Sequence, residues 1–299
     1  MTRTITVGLD GSAESRAAAE WAAREALLRG LPLRLLHVRR PAPGPVPVPS
    51  PPDDGTRWSD RMLRETAEGL RLRHPGVAIT HEQTDGMPYE VLTEAAKDAE
   101  LLALGSRGLG GIGGFLVGSV GLVVVAHAER PVVLVRAGAQ AADEHEPDPA
   151  GIPSAATRQR PVLLGLDADR PHDPVTGFAF EEAARRRTAV RAVHGWALPP
   201  YYAYGLAAAP EAYDAVVREE AGRLTEALAP WREKFPRVEV VEESFGGSPS
   251  VRLVEASAQS SLVVVGRRIR RNPLGAHIGP VTHAVMHHAA APVAVVAHD

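Results

Sequence analysis

Short apolar runs alternate with amphipathic stretches along most of the chain. Ile5–Leu9 is an apolar run ending in Asp10-Gly11-Ser12, the pattern of a buried strand feeding a turn. Ala19, Ala22, Ala23, Ala26 and Leu27 then keep the spacing of one helical face, with Gly30 placed to close the helix. A second buried strand is predicted over 33–38, and a polar helix with interspersed Met62, Leu63, Ala67 and Leu70 over 57–74. The pattern continues with a strand over 77–80 and a helix opened by Pro88 that carries Val91, Leu92 and Ala95. A strand over 101–104, a glycine-rich loop, a helix over 120–128 and a last strand over 132–135 complete it. Strands this short and apolar, alternating with helices, call for a parallel sheet covered on both faces. Right-handed crossovers make that a doubly wound α/β fold, in which ligands bind beyond the carboxyl ends of the strands.

The same pattern occurs twice. Gly8-Leu9-Asp10 returns as Gly165-Leu166-Asp167 and His37 as His194, both displaced by 157 positions. From Pro75 onward the displacement is 161, pairing Gly86 with Gly247, Gly105 with Gly266, Gly118 with Gly279, His127 with His288 and Pro131 with Pro292. So long a collinear series marks a duplication. The expected organisation is therefore two tandem doubly wound α/β domains, each a five-stranded, mainly parallel sheet sandwiched by helices. The first spans 1–138 and the second 160–299. Between them 139–159, rich in Ala, Pro and acidic residues, reads as a solvated linker. Pro41 to Pro52 reads as a long surface loop, and Tyr201, Tyr202 and Tyr204 mark its counterpart in the second copy. The closing strands, 132–135 and 293–296, are expected to pair the halves, since exposed apolar edges tend to be covered.

Composition narrows the chemistry. The 299 residues include no cysteine, which excludes disulfides, thiol nucleophiles and thiolate metal sites. A net charge of −3 gives no electrostatic reason to expect nucleic acid or an anionic membrane as partner. The first twenty residues do not form a signal peptide, and no run approaches the roughly 18 apolar residues of a membrane span. A cytoplasmic protein is expected.

The loop after the fourth predicted strand holds seven glycines in the fourteen positions 105–118, and a helix follows. Glycines let an anion approach the backbone, while a helix start offers unpaired N–H groups and the positive end of the macrodipole. Ser119 is placed either to cap that helix or to donate its hydroxyl to a phosphate. A Walker loop is excluded, because no lysine precedes Ser119 or occurs in the loop. Gly108-x-Gly110-x-x-Gly113 matches a dinucleotide pattern literally, but no acidic residue follows about 20 positions later.

At the level of Gly-x2-Gly-x9-Gly-Ser, carried by Gly105, Gly108, Gly118 and Ser119, the segment resembles the ATP-binding signature of the universal stress protein family. Val7-Gly8-Leu9-Asp10-Gly11-Ser12, Leu36-His37-Val38 and Pro131-Val132-Val133-Leu134-Val135 extend the resemblance, which covers both halves. The chain looks like a tandem member of that family. The resemblance implies ATP between the first and fourth strands, with Gly8, Leu9 and Asp10 bordering the adenosine and Val38 touching the adenine. Gly105 and Gly108 would line the ribose–phosphate side, and Gly118, Ser119 and Val120 would hold the terminal phosphates. Asp10 could also help hold a magnesium ion, and Arg107 could neutralise phosphate charge. An adenine-nucleotide sensor is implied, acting in stress responses as a homodimer with an unidentified protein partner. A slow ATPase or phosphoryl-transfer enzyme, and a scaffold that binds no nucleotide, are the alternatives.

The second copy keeps the spacing through Asp167, Gly266, Gly279 and Val281, but Ile269 replaces Gly108 and Pro280 replaces Ser119. Losing two charge-assisted hydrogen bonds of roughly 1.5–3 kcal/mol each would weaken phosphate binding by about two to four decades. Arg267, Arg268, Arg270 and Arg271 either compensate by pairing with an anion or form a solvated loop. His283 and His287 have metal-pair spacing but read, with His288, as structural or surface histidines. Asp85 reads as turn chemistry. Glu14, Glu20 and Glu25 read as the solvated face of the first helix.

Overall fold

A computed structural model of the chain describes residues 3–40, 54–106, 118–197, 210–269 and 278–299. It divides into two compact units, one over Met1–Gln140 and the other formed by Ala141–Arg268 and Ile278–Asp299.

In the first unit the strands are β1 (Thr4–Leu9), β2 (Leu33–Arg39), β3 (Ile79–Asp85), β4 (Ala99–Ser106) and β5 (Val132–Arg136). They form a parallel sheet in the order β3-β2-β1-β4-β5. The apolar runs become strands because both faces of the sheet are covered: Ile5, Val7, Leu33, Leu35, Leu101, Leu102 and Val133 are fully buried. Helices α1 (Ala13–Arg29) and α2 (Asp54–Arg73) pack together, as do α3 (Pro88–Asp98) and α4 (Ser119–His127).

The third strand differs from the sequence expectation, running from Ile79 to Asp85 rather than over 77–80. It is the outer strand of its sheet beside β2, and its residues His81, Glu82 and Thr80 are exposed. Half of it faces water, so no apolar run marks it. Cross-strand pairs hold it instead, Arg34 to Glu82 at 2.7 Å and Arg39 to Asp85 at 2.6 Å. Asp85 is thus an ion-pair partner as well as a turn residue.

Helix α1 buries Ala18, Ala19, Trp21, Ala22, Ala23 and Ala26, while Leu27 is 55% exposed and off the stripe expected for it. Glu25, read as part of a solvated face, is 1% exposed and bonded to Arg29 at 2.6 Å.

The second unit repeats the plan. Its strands β6 (Val162–Gly165), β7 (Val190–Trp196), β8 (Val240–Gly246), β9 (Leu262–Arg268) and β10 (Val293–His298) are parallel in the order β10-β9-β6-β7-β8. Helices α5 (Asp173–Arg186) and α6 (Pro210–Lys234) pack together, and so do α7 (Pro249–Ser257) and α8 (Pro280–His288).

The stretch read as a solvated linker is exposed or half-buried apart from Glu144, and it carries local order. A 3₁₀ turn over Ala141–Glu144 leads to an antiparallel bridge between His145 and Gln159. The amide of Glu146 donates to the Arg158 carbonyl at 2.8 Å, and that of Arg160 to the Glu144 carbonyl at 2.9 Å. Main-chain bonds of this kind leave no apolar periodicity in the sequence, which is why the order was not legible there.

Candidate functional site

The strand order of the first unit reverses between β1 and β4, so the connections leaving their carboxyl ends diverge and open a crevice. A cleft of about 710 Å³ lies there. Of the residues expected from the sequence, Gly8, Leu9, Asp10, Val38, Gly105, Gly118, Ser119 and Val120 all line it. Arg107 and Gly108 lie outside the described residues, as do Pro41–Pro52, Tyr201, Tyr202, Tyr204, Arg270 and Arg271.

Each wall has a local cause. Asp10 follows the last residue of β1 and is exposed. Its Oδ1 accepts from the Ser12 amide at 3.0 Å and the Ser12 hydroxyl at 2.6 Å, and Ser12 in turn caps α1 by accepting from the Ser15 amide at 3.1 Å. The carboxylate therefore shapes the turn into α1 while presenting itself to the cleft.

Gly105 has a different reason from the one its motif suggested. A Cβ there would lie 2.5 Å from the Glu14 carbonyl carbon and 2.6 Å from the Ser15 nitrogen. Glycine is required so that the first turn of α1 can rest on β4, a packing demand rather than a ligand clearance.

Gly118 is the opposite case. It is the N-cap of α4, and among the described residues nothing lies within 4 Å of where its Cβ would stand. Ser119 is the first helical residue, so of the two roles open to it, capping is not the one adopted, and α4 has no side-chain cap. The amides of Ser119, Val120 and Gly121 precede the first intrahelical bond, Leu122 N–H to the Gly118 carbonyl at 3.0 Å. Helical geometry gives these three donors no partner within the helix. With the macrodipole they form a positive, hydrogen-donating rim suited to an anion.

The other rim carries residues that sequence reasoning did not single out. His37 and Trp58 meet edge to face, centroids 6.3 Å apart at 73°. The His37 Nδ1 lies 2.7 Å from the Leu9 carbonyl oxygen, so it carries the proton and the ring is fixed. Arg39, Arg40 and Ser59 share this lining. The Arg39 guanidinium holds the Asp85 carboxyl below its ordinary range. Trp58 stands in a polar helical segment, where nothing in the periodicity distinguishes it from any outward residue.

In the second unit the corresponding switch lies between β6 and β9. Asp167 is exposed and its Oδ1 accepts from the Asp169 amide at 3.2 Å. Gly266, on β9, faces the protein's own side chains: a Cβ there would meet the His298 ring at 2.9 Å and Val175 at 3.1 Å. His298 stacks on His172 at 3.6 Å and 22°. Gly279 caps α8 and Val281 follows it, but Pro280 takes the first helical position and supplies no N–H. Arg267 is buried and Arg268 exposed at the end of β9. The His283 and His287 rings lie 4.4 Å apart and tilted by 45°, and burial pushes the His283 imidazole below its ordinary range, with His287 and His288 adding to the shift.

Among the described residues no helix is long and apolar enough to cross a membrane. The family model described as Universal stress protein family matches residues 1–136 and 159–297. A universal stress protein of Mycobacterium tuberculosis is 34% identical over 304 residues, covering 97% of this chain and 96% of that one. Another, from Mycolicibacterium smegmatis, is 33% identical over 306 residues, covering 98% and 96%. The crystal structure of a universal stress protein from Archaeoglobus fulgidus superposes with a TM-score of 0.70 at 16% identity, covering 100% of both chains. With both halves matched by the family and relatives matched from end to end, the chain belongs to the universal stress protein family as a tandem, two-domain member.

Proposed function

We propose that the first unit binds ATP and acts as a stress-response sensor rather than a catalyst. The observation that carries this reading is a single cleft at the β1/β4 switch point. It gathers Gly8, Leu9, Asp10, Val38, Gly105, Gly118, Ser119 and Val120, with the first-turn amides of α4, which have no partner within the helix, on its rim. The fit follows from the donor set: a helix start for phosphates, an exposed carboxylate for ribose hydroxyls or a magnesium ion, and open space beside Gly118 for a close anion. Relatives matched over nearly their whole length carry the stress-protein description, which supports the regulatory half of the reading.

The second unit does not offer the same site. Pro280 takes the first position of α8 and removes one rim donor. The reading is therefore one nucleotide per chain, in a cytoplasmic homodimer whose contact with a protein partner the nucleotide biases.

Gly118→Asp tests the site cleanly. Aspartate is a favoured N-cap and nothing obstructs its Cβ, so the fold keeps its stability. Its carboxylate stands where the phosphates would go. Titration calorimetry with magnesium ATP is expected to give one site in the parent chain and none in the variant. Undiminished binding by the variant would remove the loop from the reading.

A further inference from the structure

Trp58 is a large aromatic side chain left 52% exposed, and it forms part of the wall of the cleft. Its position is set rather than loose. The far edge of the indole lies against Gly11, where a Cβ would come within 2.8 Å of it. Its other neighbour is the His37 ring, itself tied to the Leu9 carbonyl. An indole fixed against Gly11 and His37, half exposed and lining the cleft, offers a preformed stacking surface, and aromatic faces accept planar bases with little conformational cost.

The sheet order gives this surface a direction. His37 lies near the carboxyl end of β2, Asp10 follows β1, and α4 starts beyond β4, with β1 between β2 and β4. Strands two places apart lie about 10 Å apart, so the aromatic corner and the anion-binding rim occupy opposite sides of one cleft.

We propose that Trp58, supported edge-on by His37, is the platform on which the base of the bound nucleotide stacks. This makes it a residue that determines preference for a nucleotide over other polyphosphates. The assignment rests on the nucleotide reading of the same cleft. It adds one residue of α2, Trp58, as the surface the base lies against.

The test compares three ligands on the full chain and on two variants, Trp58→Ala and Trp58→Phe. Against Trp58→Ala, ATP and adenosine are expected to weaken roughly ten- to a hundredfold, while inorganic tripolyphosphate keeps its affinity. Trp58→Phe retains an aromatic face and is expected to restore most of the ATP affinity. The chain has four tryptophans, and Trp21 is fully buried. Quenching of fluorescence by ATP should therefore be largely lost in Trp58→Phe even though binding remains. Equal weakening of ATP and tripolyphosphate in Trp58→Ala would assign Trp58 to the shape of the cleft and overturn the proposal. Unchanged ATP affinity in Trp58→Ala would overturn it while leaving the nucleotide reading intact. A parent chain that binds none of the three ligands would overturn both.

Discussion

Glu25 and Arg29, buried on α1, have counterparts 157 positions later in Glu182 and Arg186 on α5, and both of those side chains are fully buried. The duplication thus preserved an interior i, i+4 ion pair as well as the apolar strands. Such pairs contribute little net stability against an apolar replacement, but removing one partner leaves a charge stranded in low dielectric. Glu182→Ala is expected to lose about 3–5 kcal/mol in chemical denaturation. Glu182→Leu combined with Arg186→Met should recover most of that loss. A single variant as stable as the parent would show that Arg186 reaches water in the folded state. At this scale the sequence was misleading for a physical reason. A glutamate on a helix reads as solvent-facing by type, whereas Glu25 lies among the buried residues of α1, beside Ala22 and Ala26.

At the scale of the element, apolar runs were a reliable guide where a strand is buried on both faces, as with β1 and β4, and a poor one where a face is wet, as with β3. Helix ends follow similar logic. Gly30 closes α1 in the left-handed region at φ 63°, and its counterpart Arg187 closes α5 at φ 52°. A side chain in that conformation costs about 1–2 kcal/mol, partly offset by the entropy that glycine loses on folding. Arg187→Gly is therefore expected to stabilise the chain by about 0.5–1 kcal/mol, raising the melting temperature of the second half by a few degrees. A lower melting temperature would mean that the Arg187 side chain makes contacts worth more than the strain. The candidate site was legible as far as it is made of backbone at element ends, because glycine spacing and a strand ending in Asp10 report directly on such geometry. Trp58 was not legible. Its importance arises from where α2 lies against β2, and no local pattern encodes that.

Across the whole molecule the two halves share a plan but differ in their response to acid. Burial, followed by the neighbouring His298, Arg268 and Arg170, pushes the His172 imidazole below its ordinary range, with Asp167 opposing. His283 is lowered in the same sense. Above the unfolded value of about 6.5 both groups are neutral folded or unfolded, and no stability is lost. As pH falls through that value the unfolded chain takes up protons that the folded chain refuses. Stability therefore declines, and levels off only below the folded values. In the first half the displaced groups include Glu20, held low by His74 and Arg73 against the effect of burial, and Arg136, pushed down by burial to about 10. Neither titrates in that window. Hydrogen exchange between pH 7.5 and 5.5 is expected to show amides of β9 and β10 losing more protection than those of β1 and β4. His172→Gln with His283→Gln should shrink that difference, and an unchanged difference would place its origin elsewhere.

The corner at Gly118, which its counterpart Gly279 keeps, bears on how the copies came to differ at the next position, Ser119 in one and Pro280 in the other. Among the described residues no neighbour stands within 4 Å of the missing Cβ at either glycine, so a change at this corner disturbs little packing and is felt mainly by whatever anion visits. Affinity at such a corner can drift, vanish or be regained without the domain ever passing through an unfolded ancestor. The helix that now begins with Pro280 has the form such drift would leave behind: intact as a helix, with one backbone donor fewer at its start than its twin.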